Sequence, residues 1–231
     1  MADQREIYER HAEEYDALVS AEDWDGRLVP AIDAIAPLAS ADVLDVGTGT
    51  GRIARLVAPK VARVVGVDRS AAMLAIARRR LETLGTRFEL HCAEATALPV
   101  PSGWADVAIA GWVFGHFCHW MPDGWQGEVT RAIGEMRRAL KPSGAIVIIE
   151  KLGTGSETPS PPNDALASYY AWLEAEHGFA RTSVRTDYRF ADVETAARTT
   201  GFFFGDAFAA RARAEGWARV PECTGIWSRR A

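Results

Sequence analysis

The sequence predicts an α/β fold in which a doubly wound, mostly parallel sheet is covered by helices on both faces. Short apolar segments of strand length alternate with segments of helical periodicity, and the first of these strands runs into a glycine-rich turn. Strands are expected near 42–46, 63–68, 86–92, 104–110 and 144–150, with helices near 51–58, 70–84 and 126–140. Strands joined in this way run parallel because helical crossovers return the chain in the same direction.

The helical segments show one apolar face each. In the segment 126–140, Val129, Ile133 and Met136 recur at helical spacing, so this face is expected to pack on the sheet. Two further helices, near 6–19 and 29–38, precede the first strand.

The turn after the first strand predicts a nucleotide-like cofactor. Gly47, Gly49 and Gly51 alternate with other residues directly after an apolar strand, and Asp68 ends the second strand. Glycines let the backbone turn sharply and approach a ligand closely, and the following helix offers unpaired N–H groups. An acid at the end of the second strand can accept the hydroxyls of a ribose.

Two details of this turn disfavour NAD. The third glycine comes one residue earlier than in a dinucleotide fingerprint, and Asp45 stands two residues before the first glycine. A carboxylate there would repel a pyrophosphate but suits a cationic ligand. An NAD-dependent oxidoreductase is therefore the less favoured alternative.

The acid-x-Gly-x-Gly-x-Gly turn and the second-strand acid resemble the class I S-adenosylmethionine-dependent methyltransferases. Three later segments resemble that family in the same order, at 92–99, 104–110 and 139–150. The resemblance is to members that methylate small molecules, with a domain like that of ubiquinone and menaquinone biosynthesis. It implies a seven-stranded Rossmann-like methyltransferase fold with the last strand antiparallel and a small helical cap.

The resemblance also implies how the chain is divided. Residues 1–40 would cover the active site, 41–152 would bind S-adenosylmethionine, and 153–190 would form an inserted cap that contacts substrate. The last part, 191–231, would complete the sheet with a helix near 191–200 and strands near 202–208 and 223–229. The breaker-rich segment 153–163 and the aromatic helical stretch 164–177 agree with an inserted cap.

Ten residues are implied to bind the cofactor: Asp45, Gly47, Thr48, Gly49, Gly51, Asp68, Arg69, Glu94, Ala95 and Gly111. The glycines would hold the methionine portion, Asp45 would orient its ammonium group and Asp68 would bind ribose. Glu94 would read the adenine together with the Ala95 N–H. Two alternatives stay open, because Asp68 could cap the next helix and Glu94 could be an exposed loop carboxylate.

Three residues are candidates for catalysis: His116, His119 and Tyr15. Imidazole titrates near neutrality, so His116 is the preferred general base, with His119 as its competitor and a packing role as the alternative. Tyr15 belongs to a segment with Tyr8, His11 and Asp16 that resembles the lid of many small-molecule members. A helix that packs its aromatic residues on the core explains the same spacing.

Arg185 in the expected cap has two interpretations. Its guanidinium could hold a substrate carboxylate or phosphate, or it could form a surface ion pair with Asp187.

Charge and composition favour a small-molecule substrate. The net charge of −5 and the absence of a basic extension argue against nucleic acid, and no apolar run reaches membrane-spanning length. The first residues lack an apolar signal core, so a cytoplasmic location is expected. The three cysteines are widely spaced without a CxxC pair, and no metal site is expected. The oligomeric state stays open.

The sequence therefore predicts an enzyme that transfers a methyl group from S-adenosylmethionine to an O, N or C nucleophile of a small aromatic or amphipathic metabolite. The first alternative is a non-catalytic S-adenosylmethionine-binding subunit or regulator, because the same turn would bind the cofactor without an aligned nucleophile.

Overall fold

The computed structural model describes residues 11–231, apart from the side chains of residues 12, 13 and 86. A central sheet of seven strands has the order β3-β2-β1-β4-β5-β9-β6. These strands are β1 Asp42–Val46, β2 Arg63–Asp68, β3 Phe88–Cys92, β4 Ala105–Gly111, β5 Leu140–Thr154, β6 Ala180–Arg185 and β9 Glu222–Arg230. Strands β1 to β5 pair in parallel, whereas β9 runs antiparallel to both β5 and β6. The predicted fold class is thereby confirmed.

A second, two-stranded sheet pairs β7 Tyr188–Arg189 with β8 Arg219–Val220. The helices are α1 Ala12–Ala21, α2 Leu28–Ile35, α3 Arg52–Val57, α4 Ala71–Leu81, α5 Gly115–Trp120, α6 Trp125–Ala139, α7 Asp164–Ala175, α8 Val193–Phe204 and α9 Asp206–Ala214. A short 3-10 helix, Glu82–Arg87, joins α4 to β3. No helix within residues 11–231 is long and apolar enough to cross a membrane.

The sheet is buried on both faces, as its long apolar strands predict. One core, here called the α6 side, contains Val129 and Ile133 of α6 and aromatic residues of α7. The other core, here called the α3 side, contains α2, Ile53 and Val57 of α3, and the inner face of α4. The predicted apolar face of α6 is confirmed, because Val129, Ile133 and Met136 are at most 2% exposed.

The prediction of a strand near 202–208 is wrong, because these residues belong to helices α8 and α9. Asp192 accepts a hydrogen bond from the Thr195 N–H at 2.7 Å and starts α8, which continues through this aromatic run. Gly205, with φ 88°, ends α8 and is followed at once by α9. The run of phenylalanines has strand-like composition, but the N-cap and the glycine define a helix.

The seventh strand lies instead at β6, within the stretch 153–190 that was expected to be an inserted cap. Most side chains of β6 are exposed because it is an edge strand, so its sequence shows no apolar alternation. The expected aromatic helix of the cap is present as α7. The expected N-terminal helix is present from Ala12 onward, while Ile7 and Tyr8 lie outside the described residues.

Candidate active site

The glycine turn has a left-handed backbone at each of its glycines. The φ angles are 69° at Gly47, 54° at Gly49 and 84° at Gly51. A Cβ at Gly47 would lie 2.4 Å from Cγ2 of Val113, whereas a Cβ at Gly49 would meet nothing within 4 Å. Gly47 therefore allows the Val113 side chain to pack closely against the turn, and Gly49 leaves space beside the turn.

Asp45 is buried beneath the glycine turn. It is 1% exposed, and its Oδ2 accepts hydrogen bonds from the Thr48 hydroxyl at 2.6 Å and from the Ala54 N–H at 3.1 Å. Burial raises the pKa of Asp45 to about 7. Asp45 thus connects β1 to the turn and to the first turn of α3.

Asp68 connects the end of β2 to the same turn. Its Oδ2 accepts the Gly49 N–H and its Oδ1 accepts the Ser70 N–H, each at 2.8 Å. The cap of α4 is Ser70, whose hydroxyl accepts the Met73 N–H at 3.3 Å. Burial raises the pKa of Asp68. Asp68 orders the loop around Gly49 and lies on the wall of a cavity.

This cavity, of ≈ 280 Å³, opens at the edge where β1, β2 and β4 end. Seven of the predicted cofactor residues line it: Gly47, Gly49, Asp68, Arg69, Glu94, Ala95 and Gly111. The remaining three, Asp45, Thr48 and Gly51, are buried and are not among its lining residues. Glu94 is exposed at the rim. Ligands of parallel α/β sheets bind at this edge.

His116 lines the cavity and stacks on Trp120, with ring centroids 5.1 Å apart and planes inclined by 14°. Burial lowers its pKa to about 4, helped by the charges of Lys151 and His119. The imidazole is therefore neutral at physiological pH. His119 is on the same helix, but it is exposed and is not among the cavity-lining residues.

Tyr15 of α1 also lines the cavity. Its ring meets Phe203 of α8 edge-on, with centroids 6.3 Å apart, and burial raises the pKa of Tyr15 to about 12. Asp16 forms an ion pair with Arg80 of α4. This ion pair holds α1 beside the cavity. The described part of the expected lid segment thus both packs on neighbouring helices and borders the site.

Trp112 lies directly after β4 with a left-handed φ of 56°, which is uncommon for a bulky residue. Its backbone N–H donates to the Ile149 carbonyl at 2.7 Å. The Arg52 guanidinium carbon lies 3.8 Å from the centroid of the Trp112 ring. Arg52 in turn pairs with Glu22 at 3.0 Å. No local sequence pattern relates Arg52 to Glu22, because the two residues are 30 positions apart in the chain.

Two other charged residues have structural partners. Arg185 binds Asp187 through two hydrogen bonds of 2.9 and 3.0 Å, so the ion pair is the contact observed and no substrate contact is assigned. Glu150, at the ligand edge of β5, accepts the Gly115 N–H at 2.9 Å and thereby anchors α5. Burial raises the pKa of Glu150 to about 8.

The residues present fit S-adenosylmethionine. Gly49 leaves room beside the turn, the carboxylate of Asp68 lies on the cavity wall, and Glu94 stands at the rim. Aromatic rings also line the cavity, and a cationic sulfur is favoured over an anion beside such rings. Within residues 11–231, no group of three or more His, Cys, Asp or Glu residues is placed to hold a metal ion.

Comparison with known proteins agrees with this site. A family described as "Methyltransferase domain" matches residues 43–144. A demethylmenaquinone methyltransferase of Thermus thermophilus is 34% identical over 142 residues, which cover 61% of this chain and 57% of that protein. A phosphatidylethanolamine N-methyltransferase of Cereibacter sphaeroides is 30% identical over 164 residues, covering 70% and 76%. The chain thus spans little more than half the length of the Thermus relative.

The fold agrees as well. The solved structure of Haemonchus contortus phosphoethanolamine N-methyltransferase 2, in complex with phosphomonomethylethanolamine and S-adenosylhomocysteine, superimposes with a TM-score of 0.61 at 15% identity. The alignment covers 98% of this chain and 58% of that one. Taken with the site, these likenesses confirm the predicted family. The chain belongs to the class I S-adenosylmethionine-dependent methyltransferases, and S-adenosylmethionine is its cofactor.

Proposed function

We propose that this methyltransferase acts on a small aromatic metabolite of quinone type, at an O, N or C nucleophile. The observation that carries this proposal is that one cavity is lined both by the glycine turn and by several aromatic rings. Gly47, Gly49 and Asp68 line this cavity together with the rings of Tyr15, Trp112, His116, Phe117 and Trp120. Rings of this kind suit a flat acceptor placed against the donor.

The names of the relatives support a ring-bearing acceptor. Several are demethylmenaquinone methyltransferases, from different bacteria and at 31–34% identity. The Cereibacter relative is named for N-methylation of a phospholipid, so nitrogen stays among the candidate nucleophiles. The net charge of −5 favours such a small molecule over a nucleic acid.

The chain's own residues would mainly bind and orient the reactants. When bound, S-adenosylmethionine supplies a methyl group activated by the positive charge on sulfur. Gly47 and Gly49 would hold the methionine portion, and Asp68 would accept the ribose hydroxyls while it keeps the Gly49 N–H in place. Asp45 would act as a positioning residue, through its hydrogen bonds with Thr48 and with the N–H of Ala54 at the start of α3. Glu94 and the Ala95 N–H would read the adenine.

His116 is proposed as the proton acceptor. Its neutral imidazole faces the cavity, so it is ready to accept a proton, but a pKa of about 4 makes it a weak base. It would therefore serve an acidic acceptor, such as a phenol, and alignment of the acceptor would supply most of the rate enhancement. Tyr15 keeps its proton at physiological pH and can donate a hydrogen bond to a ligand in the cavity. His119, exposed on the same helix, is the weaker candidate.

The test is methyl transfer from methyl-labelled S-adenosylmethionine into a metabolite extract of the host, followed by identification of the labelled product. We expect a labelled small aromatic compound with the wild-type chain and less of it with Asp68→Ala at the same concentration of S-adenosylmethionine. If the protein binds S-adenosylhomocysteine but labels no small molecule, the alternative of a non-catalytic cofactor-binding subunit would stand instead.

A further inference from the structure

The loop of residues 93–104 joins β3 to β4, and its two halves lie in different surroundings. Residues 93–95 line the cofactor cavity. Further along the loop, Leu98 and Val100 are buried and belong to the α6-side core. The position of this part of the cavity wall therefore depends on how the second half of the loop is held.

The first half of the loop is tied at one end to β2. The Ala93 N–H donates to the Asp68 carbonyl at 3.1 Å, and the Ala97 N–H donates to the Glu94 carbonyl at 3.0 Å. The second of these bonds closes a four-residue turn. A displacement of the chain at Leu98 would therefore be passed through this turn to the residues that line the cavity.

The second half of the loop has few backbone donors of its own. Pro99 and Pro101 have no N–H, so this stretch cannot pair with a neighbouring strand in the ordinary way. The carbonyls of Leu98 and Val100, directly before the two prolines, still need partners because both residues are buried. Those partners come from a side chain of α6.

Arg138, in the last turn of α6, binds both carbonyls. Its Nη1 donates to the Val100 carbonyl at 2.9 Å, and its Nη2 donates to the Leu98 carbonyl at 3.0 Å. The backbone carbonyl of Arg138 accepts the Gly103 N–H at 3.0 Å. A guanidinium presents its donors in a fixed planar fork, so one side chain holds two points of the loop at once.

Glu135, one turn earlier on α6, completes this arrangement. Its Oε2 accepts the Leu98 N–H at 2.9 Å, and its two oxygens accept Nε and Nη2 of Arg138 at 2.8 and 2.9 Å. The pair thus binds both backbone groups of Leu98. Hydrogen bonding with Arg138 lowers the pKa of Glu135, so the carboxylate stays charged at physiological pH. We call Glu135 and Arg138 the loop clamp.

We propose that the loop clamp positions the adenine-reading part of the site, so that Glu135 and Arg138 set the base selectivity of cofactor binding without touching the cofactor. Neither residue is among those that line the cavity. Glu94 and the Ala95 N–H would read the adenine, and the clamp holds the chain at Leu98, three residues after Ala95. This inference rests on the proposed role of Glu94 and Ala95.

The test compares the binding of S-adenosylhomocysteine with that of S-inosylhomocysteine, in which hypoxanthine replaces adenine. This exchange turns the amino donor into a carbonyl and the N1 acceptor into an N–H, so a loop that reads adenine through Glu94 and the Ala95 N–H should reject it. Calorimetric titration of the full wild-type chain is expected to show at least about tenfold tighter binding of S-adenosylhomocysteine. Arg138→Met should lower this affinity ratio about fivefold.

Arg138→Lys is the second variant, because it keeps a cation beside Glu135 and the packing of the aliphatic stem. One ammonium lacks the fork that reaches both carbonyls, so the affinity ratio should also fall while the melting temperature stays near that of wild type. Glu135→Gln can still accept the Leu98 N–H and should retain more of the ratio than Glu135→Leu. Arg131→Met is the matched control, because Arg131 pairs with Glu128 on the same helix, and it should keep the wild-type ratio.

A double-mutant cycle with Glu94→Ala separates positioning from a general loss of structure. If the clamp acts through the loop, Arg138→Met should change the affinity ratio less in the Glu94→Ala background than in wild type. A change of the same size in both backgrounds would overturn the positioning role. The same conclusion would follow if Arg138→Met weakened the binding of both ligands equally and left their ratio unchanged.

These measurements use no methyl acceptor, so failure of the clamp and failure of the proposed function are distinguishable. A wild-type chain that binds both ligands equally would remove the adenine role of Glu94 and Ala95, and the role of the clamp with it, whatever the labelled-extract experiment shows. A clear preference that is lowered by Arg138→Met, without transfer to any extract metabolite, would support the clamp and remove the proposed activity.

Discussion

Arg52 and Trp112 join the glycine turn to the end of β4, with the guanidinium carbon 3.8 Å from the centroid of the indole ring. Arg52 is the first residue of α3, and Trp112 follows Gly111 with a left-handed backbone. The contact therefore holds together the two backbone segments that border the cofactor cavity. The ion pair between Arg52 and Glu22 connects these two segments to the residues that follow α1.

Arg52→Met should destabilise the fold, because it leaves the Glu22 carboxylate buried without its cationic partner. Loss of one member of a buried pair costs about 3–5 kcal/mol of unfolding free energy. Urea denaturation measures this loss. Arg213→Met, which breaks an exposed ion pair with Glu194, is the control and should cost at most about 1 kcal/mol. Equal losses in the two variants would contradict the role of the buried pair.

Gly49→Ala should weaken cofactor binding beyond its effect on stability. A left-handed φ costs an alanine about 1–2 kcal/mol, and the new methyl group would face the cavity. Gly26 has a φ of 63° and equally open surroundings, but it is not among the cavity-lining residues. Gly26→Ala should therefore lose similar stability yet bind S-adenosylhomocysteine as wild type does. Calorimetric titration with S-adenosylhomocysteine compares the affinities of the two variants. Equal affinities would argue against a ligand beside Gly49.

Gly47→Ala should be more disruptive than Gly49→Ala, because its Cβ would overlap Val113 at 2.4 Å as well as occupy a left-handed φ. Thermal unfolding should show the larger loss at Gly47. If Val113→Ala in the same chain restored stability, the overlap would be confirmed as the cause. A Gly47→Ala variant as stable as Gly49→Ala would show that the two segments separate without cost.

Asp68→Ala should weaken S-adenosylhomocysteine binding by at least about tenfold, since a charged hydrogen bond contributes about 1.5–3 kcal/mol. His116→Ala should leave that affinity nearly unchanged and lower turnover on the identified substrate. Because its pKa is about 4, protonation of His116 should reduce turnover only near pH 4 and not near 6.5. Full turnover in His116→Ala would leave alignment alone as the mechanism.

Stability should fall as pH rises toward 8, because Glu150 is held protonated in the fold. Its pKa is raised by burial from 4.5 to about 8, so between these values the native state binds more protons than the unfolded chain. The unfolding free energy therefore decreases with pH across this window. The decrease is at most about a few kcal/mol, which is the size that the pKa shift of Glu150 implies. Asp45 and Glu222, with pKa values of about 7 and 8, act in the same direction.

Glu150→Gln isolates one contribution to that decrease. The amide oxygen can still accept the Gly115 N–H, but no proton is lost as the pH rises. Melting temperatures at pH 5 and pH 8 should therefore differ less in Glu150→Gln than in wild type. The exposed Glu194→Gln variant should keep the wild-type difference. A Gln variant with the same pH dependence as wild type would assign the effect to other carboxyls.

Much of the core could be predicted from local pattern. The apolar runs of β1, β2, β4 and β5 and the apolar periodicity of α6 are patterns among neighbouring residues, and they indicate which elements are buried in the fold. The glycine turn and Asp68 were predictable for the same reason, since a left-handed turn at a strand end requires glycine locally. These features predicted a nucleotide-like cofactor, and the resemblance to the class I methyltransferases indicated S-adenosylmethionine.

The edge of the sheet and the acceptor side of the cavity depended on tertiary structure. The polar, exposed β6 shows no apolar alternation, and the aromatic run 202–204 becomes helical because α8 begins at Asp192. The pairing of Glu22 with Arg52, and the burial of Glu222 beside them, joins residues that are 30 or more positions apart. Local sequence encodes backbone conformation, but only the folded chain brings distant charges together and removes them from water.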